Sequence, residues 1–125
     1  MVSKGVAMPM WLADVEEQDY PAALSYLNLI YANGRALKLV AKLKTGKIKS
    51  FKAKDIFRAS SLSLLGVSNS HVEKDKRKIM KGKALSPLLL VRDGDNGKVV
   101  IADGYHRLCA VYGFDEDAVV PCKIV

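Results

Sequence analysis

The segment from Ile101 to Arg107 has the sequence Ile-Ala-Asp-Gly-Tyr-His-Arg, which holds residue types suited to binding a phosphate group. It is predicted to lead a buried strand into a glycine turn and then directly into the start of a helix. Backbone N–H groups in the first turn of a helix lack intrahelical acceptors, and the helix dipole favours negative charge at that end. The segment therefore predicts an anion-binding site.

The side chains of this segment could each take part in phosphate chemistry. Arg107 can donate two parallel hydrogen bonds to a phosphate, and His106 can donate to a phosphoryl oxygen or transfer a proton near neutral pH. Asp103 can bind a divalent cation such as Mg²⁺ or orient His106, and Gly104 allows the backbone a close approach or a positive φ. Asp103 and His106 are the candidate catalytic residues, with Asp103 also the candidate Mg²⁺ ligand. The candidate nucleotide-binding residues are Gly104, Tyr105, His106 and Arg107.

Each charged or polar side chain of the segment also has a purely structural alternative. Asp103 could cap the helix that follows it. His106 could be a half-buried histidine whose hydrogen bonds are made within the fold. Arg107 could form an ion pair with one of the acidic residues Asp115, Glu116 or Asp117. The sequence leaves these alternatives open.

The net charge of +7 is concentrated in one stretch of the chain. Fifteen of the twenty Lys and Arg residues lie between Arg35 and Lys83, where only three acidic residues accompany them. So basic a segment predicts a polyanionic partner, such as nucleic acid, nucleotide phosphates or an acidic protein. The alternative is a solvated lysine-rich surface. The stretch has few aromatic residues, so a base-stacking platform for single strands is not indicated.

Length and composition exclude several classes of protein. With 125 residues, 50% of them hydrophobic, the chain is predicted to be one globular domain over 1–125. Its apolar runs are far shorter than the roughly 20 residues of a membrane-spanning helix, so no transmembrane segment is expected. The opening Met-Val-Ser-Lys carries one cation but is not followed by the apolar region of a secretory signal, so no such signal is expected. The two cysteines, Cys109 and Cys122, have no zinc-site spacing. We expect a cytoplasmic protein without a membrane partner.

The N-terminal residues 1–45 are predicted to form a helical hairpin. The first helix begins near Asp19, which is expected to cap it, and ends at Asn33-Gly34. The second helix is predicted over 35–44, where apolar residues recur at helical spacing. The hairpin offers enough apolar surface for a homodimer contact through residues 20–31, which is a further hypothesis.

Residues 46–125 are predicted to form the core of the domain. Strands are expected over 48–51, 87–92, 98–102 and 118–125, and a helical turn over 54–58. Residues 60–66 are predicted to be a loop with buried leucines. Ser70-His71-Val72-Glu73 matches a capping box that opens a basic helix ending at Gly82, and a further helix is predicted from residue 105 or 106 to 112, closed by Gly113. The fold class is therefore α+β, a small mixed β-sheet with helices preceded by the hairpin.

The order of these elements resembles the superfamily of ParB N-terminal domains and sulfiredoxins. The resemblance covers residues 46–125 and leaves the hairpin outside. It rests on three stretches of the sequence. The first is Gly82-Lys83-Ala84-Leu85-Ser86-Pro87 with the strand after it, and the second runs from Val99 to Ala110 and contains Asp103-Gly104-Tyr105-His106-Arg107. The third is Val119-Val120-Pro121 with the last strand. The Asp-Gly-x-His-Arg box is similar to the Asp-Gly-His-His-Arg form that the free-serine kinases carry.

The resemblance implies that this box binds nucleotide phosphates. ParB-like proteins bind CTP there, sulfiredoxins ATP, and free-serine kinases ADP or ATP, so Gly104, His106 and Arg107 would contact the phosphates of such a nucleotide. Tyr105 stands where sulfiredoxin has its catalytic cysteine, so peroxiredoxin repair is not expected.

The resulting main hypothesis is a nucleotide-binding domain whose basic segment engages nucleic acid or a protein partner. The first alternative is a small Mg²⁺-dependent phosphotransferase or nucleotide hydrolase that uses the same box, with His106 or Asp55 near the nucleophile. The kinases' catalytic glutamate has no clear counterpart here, since neither Asp55 nor Glu73 aligns with it. The second alternative is a nucleic-acid-binding protein whose box grips a backbone phosphate.

Overall fold

The computed structural model describes residues 8–64 and 69–125. The opening Met-Val-Ser-Lys, on which the expectation about a secretory signal rests, lies outside the described residues, and so do Leu65 and Gly66 of the predicted loop. The helices are α1 (Asp19–Ile30), α2 (Arg35–Thr45), α3 (Ala53–Ser60), α4 (Ser70–Met80) and α5 (Tyr105–Phe114). The strands are β1 (Met10–Trp11), β2 (Lys49–Lys52), β3 (Ala84–Leu85), β4 (Leu88–Asp93), β5 (Lys98–Asp103) and β6 (Val119–Ile124).

The main sheet has four strands in the order β2-β6-β4-β5. β4 is parallel to β6, whereas β2 is antiparallel to β6 and β5 is antiparallel to β4. The α+β class and the mixed sheet are thus confirmed. A second, two-stranded parallel ladder joins β1 to β3 and was not predicted, because two-residue strands leave no periodic pattern in a sequence.

Helices cover both faces of the main sheet, and the alternation of side chains along β4 divides the core in two. Leu88 and Leu90 pack on one face with residues from α3, α4 and α5. Leu89 and Val91 pack on the other face with α1 and α2. The N-terminal hairpin therefore covers one of the two faces of the sheet. Because β4 is buried on both faces, it has a continuous run of apolar residues.

A buried lysine helps to hold the hairpin against the sheet. Lys123 of β6 is only 3% exposed, and its Nζ donates to Tyr20 Oη at 3.0 Å and to the Lys44 carbonyl oxygen at 3.1 Å. It also forms an ion pair with Asp14 at 3.1 Å. Three oxygen partners offset the desolvation of the buried ammonium group.

Three sequence-based predictions about helix ends are wrong. Gln18 is the N-cap residue of α1, whereas Asp19 is the buried first residue of the helix. Asn69, and not Ser70, caps α4, because the Asn69 side chain accepts hydrogen bonds from the N–H groups of His71 at 3.0 Å and Val72 at 3.2 Å. Gly113 does not end α5, which continues to Phe114.

The prediction of buried leucines in the loop after α3 is also wrong where the structure describes it. Leu62 is 43% exposed and Leu64 is 50% exposed. Both follow the left-handed residue Ser61, which ends α3 with φ of 58°. Ser61 thus turns the chain out of the helix and away from the core.

No helix in the described ranges combines the length and apolar character that crossing a membrane would require.

Substitution tests whether Asn69 or Ser70 caps α4. Asn69→Ala removes the acceptor for two backbone N–H groups, so we expect the free energy of unfolding to fall by about 1 kcal/mol. Ser70→Ala, the matched control, should lower it by less than about 0.5 kcal/mol, as a surface change that removes no cap. Urea unfolding followed by circular dichroism measures both. The reverse ranking would favour the Ser70–Glu73 capping box.

Candidate functional site

Arg107 points into the protein and binds two carboxylates. Its Nη2 donates to Asp103 Oδ2 at 2.9 Å and to Asp19 Oδ2 at 3.3 Å, and it also contacts the Pro87 carbonyl oxygen at 3.4 Å. The Arg107 side chain is 17% exposed. Its Nε is buried and has no hydrogen-bond partner among the described residues. We call the set of Arg107, Asp103 and Asp19 the arginine clamp.

The clamp extends into the link between β3 and β4. The Ser86 hydroxyl donates to Asp19 Oδ2 at 2.6 Å and accepts from the Glu16 N–H at 3.0 Å. Asp19 therefore has two donors in a buried position, which explains why its side chain is not used as a helix cap. The network joins the start of α1 to the start of α5.

Two outcomes follow for the structural alternatives of the box. Asp103 does not cap α5, because Gly104 is the N-cap residue and the cap has no side-chain hydrogen bond. Arg107 has an ion-pair partner, but it is Asp103 of the same segment and Asp19 of the hairpin, not an acidic residue of the 115–117 turn. Burial raises the pKa of Asp103, an effect that Arg107 opposes and the nearby Asp19 reinforces.

Gly104 is required by the backbone at the start of α5. Its φ is +104°, a conformation that residues with a side chain rarely adopt. A Cβ atom at this position would lie 2.7 Å from Leu88 Cγ and 2.9 Å from Arg107 Nη2. The glycine therefore lets the helix start approach both β4 and the clamp.

The start of α5 forms one end of a groove of about 440 Å³ beside the sheet edge strand β5. One wall comes from α1 and the other from the segment after α3. The lining residues are Ala22, Tyr26, Leu62, Ile101, Ala102, Asp103, Gly104, Tyr105 and His106. The predicted site residues 103–106 thus line one groove, while Arg107 lies behind them in the clamp.

Tyr105 and His106 are held by contacts outside their own helix. The Tyr105 hydroxyl donates to the Ser63 carbonyl oxygen, which ties α5 to the segment that forms the groove wall. The His106 ring lies 4.8 Å from that of His71, measured between ring centroids. His71 is the second residue of α4, just as His106 is the second residue of α5. His71 is not among the site residues predicted from the sequence.

The environment of His106 disfavours its charged form. Burial lowers its pKa, with further lowering by His71 and Arg107, and Asp75 opposes the shift. The chain has two histidines, and each lies near the start of a predicted helix. This shared placement is the sequence feature that would have indicated His71. The convergence of the two histidines depends on how α4 packs on α5, which sequence spacing does not reveal.

A metal site has limited support from the geometry. The described residues contain no group of three or more His, Cys, Asp or Glu side chains arranged to bind a metal ion. Asp103, the predicted Mg²⁺ ligand, has one carboxylate oxygen bound by Arg107. Cys109 and Cys122 are both buried, and burial raises the pKa of Cys122 to about 12, so this thiol is not activated as a nucleophile.

Comparison with protein-family models, with curated proteins and with solved structures gives no match for this chain. The resemblance to ParB N-terminal domains and sulfiredoxins therefore rests on the quoted motifs and stays a prediction.

The clamp changes what we expect from replacing Arg107. The sequence alone suggests that Arg107→Ala would weaken phosphate binding with little loss of fold, whereas the structure shows that it would leave two carboxylates together without their cation. Removing one partner of a buried pair costs about 3–5 kcal/mol, and partial exposure places this variant near the lower end, about 3 kcal/mol. Urea unfolding measures the loss.

Two further variants make this test specific. Arg77→Ala removes an exposed arginine that lies 3.8 Å from Glu73, so it should cost only about 0–1 kcal/mol. Adding Asp103→Asn to Arg107→Ala should restore part of the stability, because one of the unpaired charges is removed. Equal losses for Arg77→Ala and Arg107→Ala would contradict the clamp.

The depressed pKa of His106 predicts a pH dependence of stability. Its pKa in the folded state lies below that in the unfolded state, so acidification protonates the unfolded chain first and lowers the free energy of unfolding. Between pH 7.5 and 5.5 this free energy should fall more steeply for the wild-type protein than for His106→Gln. Thermal and urea unfolding at several pH values provide the comparison, and parallel curves would contradict the assignment.

Proposed function

We propose that this protein binds the phosphate groups of a nucleotide at the N-terminal end of α5. The observation that carries the proposal is the groove along β5, because its lining includes Gly104, Tyr105 and His106 at one end. The first turn of a helix offers backbone N–H groups and a favourable dipole to an anion. His106 adds a side chain that can donate to a phosphoryl oxygen.

The rest of the groove suits the sugar and base of a nucleotide. Its lining includes Tyr26 and Leu62, each a little over 40% exposed, together with Ala22 and Ile101. An aromatic ring and aliphatic side chains can pack against a base without selecting it by hydrogen bonds. CTP, ATP and ADP therefore remain the candidate ligands.

Arg107 has a different role in this proposal from the one that the sequence suggests. As a member of the clamp, it holds Asp103 and the helix start in place and does not contact the ligand. A phosphate near Gly104 would lie close to Asp103, and the clamp reduces the repulsion by placing a guanidinium group on that carboxylate. Arg107 is thus a positioning residue.

The proposal includes membership of the ParB and sulfiredoxin superfamily and a cytoplasmic location. The quoted motifs and the mixed sheet with the box at a strand-to-helix turn support the family assignment. A homodimer through the hairpin is also a proposal. Tyr20 is buried within the fold, so the surface for such a contact would be the exposed Leu29 and Ile30 of α1 with Leu37 of α2.

The phosphotransferase alternative gains no specific support from the site. It requires a carboxylate available for Mg²⁺ or for the nucleophile, whereas Asp103 is bound by Arg107 and Asp55 lines a different pocket. The proposal therefore stops at binding. Incubation with nucleoside triphosphates, Mg²⁺ and hydroxyl acceptors tests the alternative, and product formation would favour it.

Calorimetric titration with CTP, ATP, ADP and GTP, with and without Mg²⁺, tests the proposed binding. We expect micromolar affinity for at least one nucleotide. Ala22→Glu should weaken it more than tenfold, because the new carboxylate enters the groove that also includes the proposed anion site and repels the phosphates. Asn28→Glu is the matched control, since it adds the same charge to an exposed position of α1 that does not line the groove, and it should leave affinity within threefold.

Either of two results would overturn the proposal. Either no binding of any of these nucleotides, or binding that both glutamate variants leave unchanged, would mean that the groove is not a phosphate site.

A further inference from the structure

The basic stretch between Arg35 and Lys83 does not form one surface. α2 packs through Val40 and Leu43 on the sheet face that includes Leu89, whereas α4 packs through Val72 and Ile79 on the opposite face. The main sheet therefore separates the cations of α2 from those of α4. Any partner of the basic stretch must be assigned to one of these two sides.

Five cations on the α4 side surround one concave site of about 190 Å³, which we call the α4 cup. Its lining residues are Lys74, Arg77, Lys78, Lys81 and Lys83. Within residues 8–64 and 69–125, no acidic, aromatic or aliphatic residue lines it. Glu73 lies 3.8 Å from Arg77 in an exposed ion pair, and Asp75 is buried.

The backbone at the end of α4 builds this site. Gly82 has a φ of +71°, which turns the chain back on the helix. The Lys83 N–H then donates to the Lys78 carbonyl oxygen at 2.9 Å, and the Lys81 N–H donates to that of Arg77 at 3.0 Å. Lys83 is thus placed beside the last turn of α4, although it lies beyond the helix.

Helix stabilisation does not explain so many cations. Positive side chains near a helix C-terminus interact favourably with the helix dipole, but the effect is limited to the last turn. Lys74 lies in the second turn of α4 and Lys83 lies outside the helix. Like charges at i and i+4, such as Lys74 and Lys78, repel each other and destabilise an isolated helix.

We propose that the α4 cup binds the phosphate backbone of nucleic acid. Protein–nucleic acid interfaces are much more positively charged than protein–protein interfaces, which have an apolar centre that the cup lacks. Lys78 lies four positions and Lys81 seven positions after Lys74, which places these two lysines about 6 and 10 Å from Lys74 along the helix axis. Phosphates of one strand rise about 3.4 Å per nucleotide, so the first of these spacings is close to two nucleotide steps.

The binding is expected to be independent of base sequence. Among the residues that the structure describes, no aromatic side chain lines the cup for base stacking, so the contacts are expected to be electrostatic and made to the backbone. The proposal rests on the cup and not on the proposed nucleotide function, since the cup and the groove share no lining residue.

Fluorescence anisotropy of a labelled random 20-nucleotide single strand and of its duplex tests the proposal. Five released counterions give a slope of about −3.5 to −4.5 in log affinity against log salt, so affinity should fall about 100- to 500-fold between 50 and 200 mM KCl. Comparison of the two probes shows whether single-stranded or duplex backbone is preferred, and binding of either supports the cup.

A pair of charge-matched variants locates the contact. Lys74→Glu/Lys78→Glu should weaken binding more than 30-fold at 100 mM KCl, and Lys38→Glu/Lys42→Glu on α2 should weaken it less than threefold. Circular dichroism verifies folding, and Lys74→Gln/Lys78→Gln replaces the first variant if that variant does not fold.

Three results would overturn the proposal. These are no binding of either probe at 50 mM KCl, equal losses in the α2 and α4 variants, and loss of nucleic-acid binding in Ala22→Glu with the α4 variants unaffected. The last result would place the phosphate contact at the groove. The failure of the cup is thereby distinguishable from the failure of the nucleotide site.

Discussion

The ion pairs that Arg107 makes with Asp103 and Asp19 connect the start of the N-terminal hairpin with the edge of the sheet and the start of α5. Asp19 begins α1, Asp103 ends β5 and Arg107 lies in the first turn of α5, while Ser86 and the Pro87 carbonyl oxygen bring in the start of β4. Charged groups with so little exposure are tolerated only when they are paired and hydrogen-bonded. The hairpin, the sheet edge and the start of α5 must therefore come together in one arrangement.

This constraint also limits which groups are available to the proposed phosphate site. Because the guanidinium group is used by the carboxylates, the groove has the backbone N–H groups of α5 and the His106 side chain to offer to a phosphate. Gly104 makes this possible, since its positive φ allows the helix to begin directly against Leu88 and the clamp. The site depends on the shape of the backbone more than on a set of charged side chains, and this fits recognition of phosphate without strong selection of a base.

The distribution of charge illustrates how a fold reorganises a sequence pattern. A stretch of fifteen cations suggests one basic surface, but its helices pack on opposite faces of the sheet because each has its own apolar stripe to bury. On the α4 side, where Gly82 returns Lys83 to the helix, five cations surround one concavity. Local concentration of charge thus comes from a turn and from packing, in addition to composition.

The sequence by itself determined the order and type of most elements, the two-faced apolar pattern of β4 and the glycine turn before α5, because these depend on near neighbours in the chain. Helical periodicity predicted α2, the capping-box pattern and Gly82 predicted α4, and turn residues predicted the end of β5. The role of Asp19, the pairing of β1 with β3 and the contact of His71 with His106 were decided by the tertiary structure alone. Asp19 and Arg107 are separated by 88 positions, so no local pattern relates them. A buried polar side chain takes whichever partner the packed fold brings within hydrogen-bond distance, and only the assembled layers decide which partner that is.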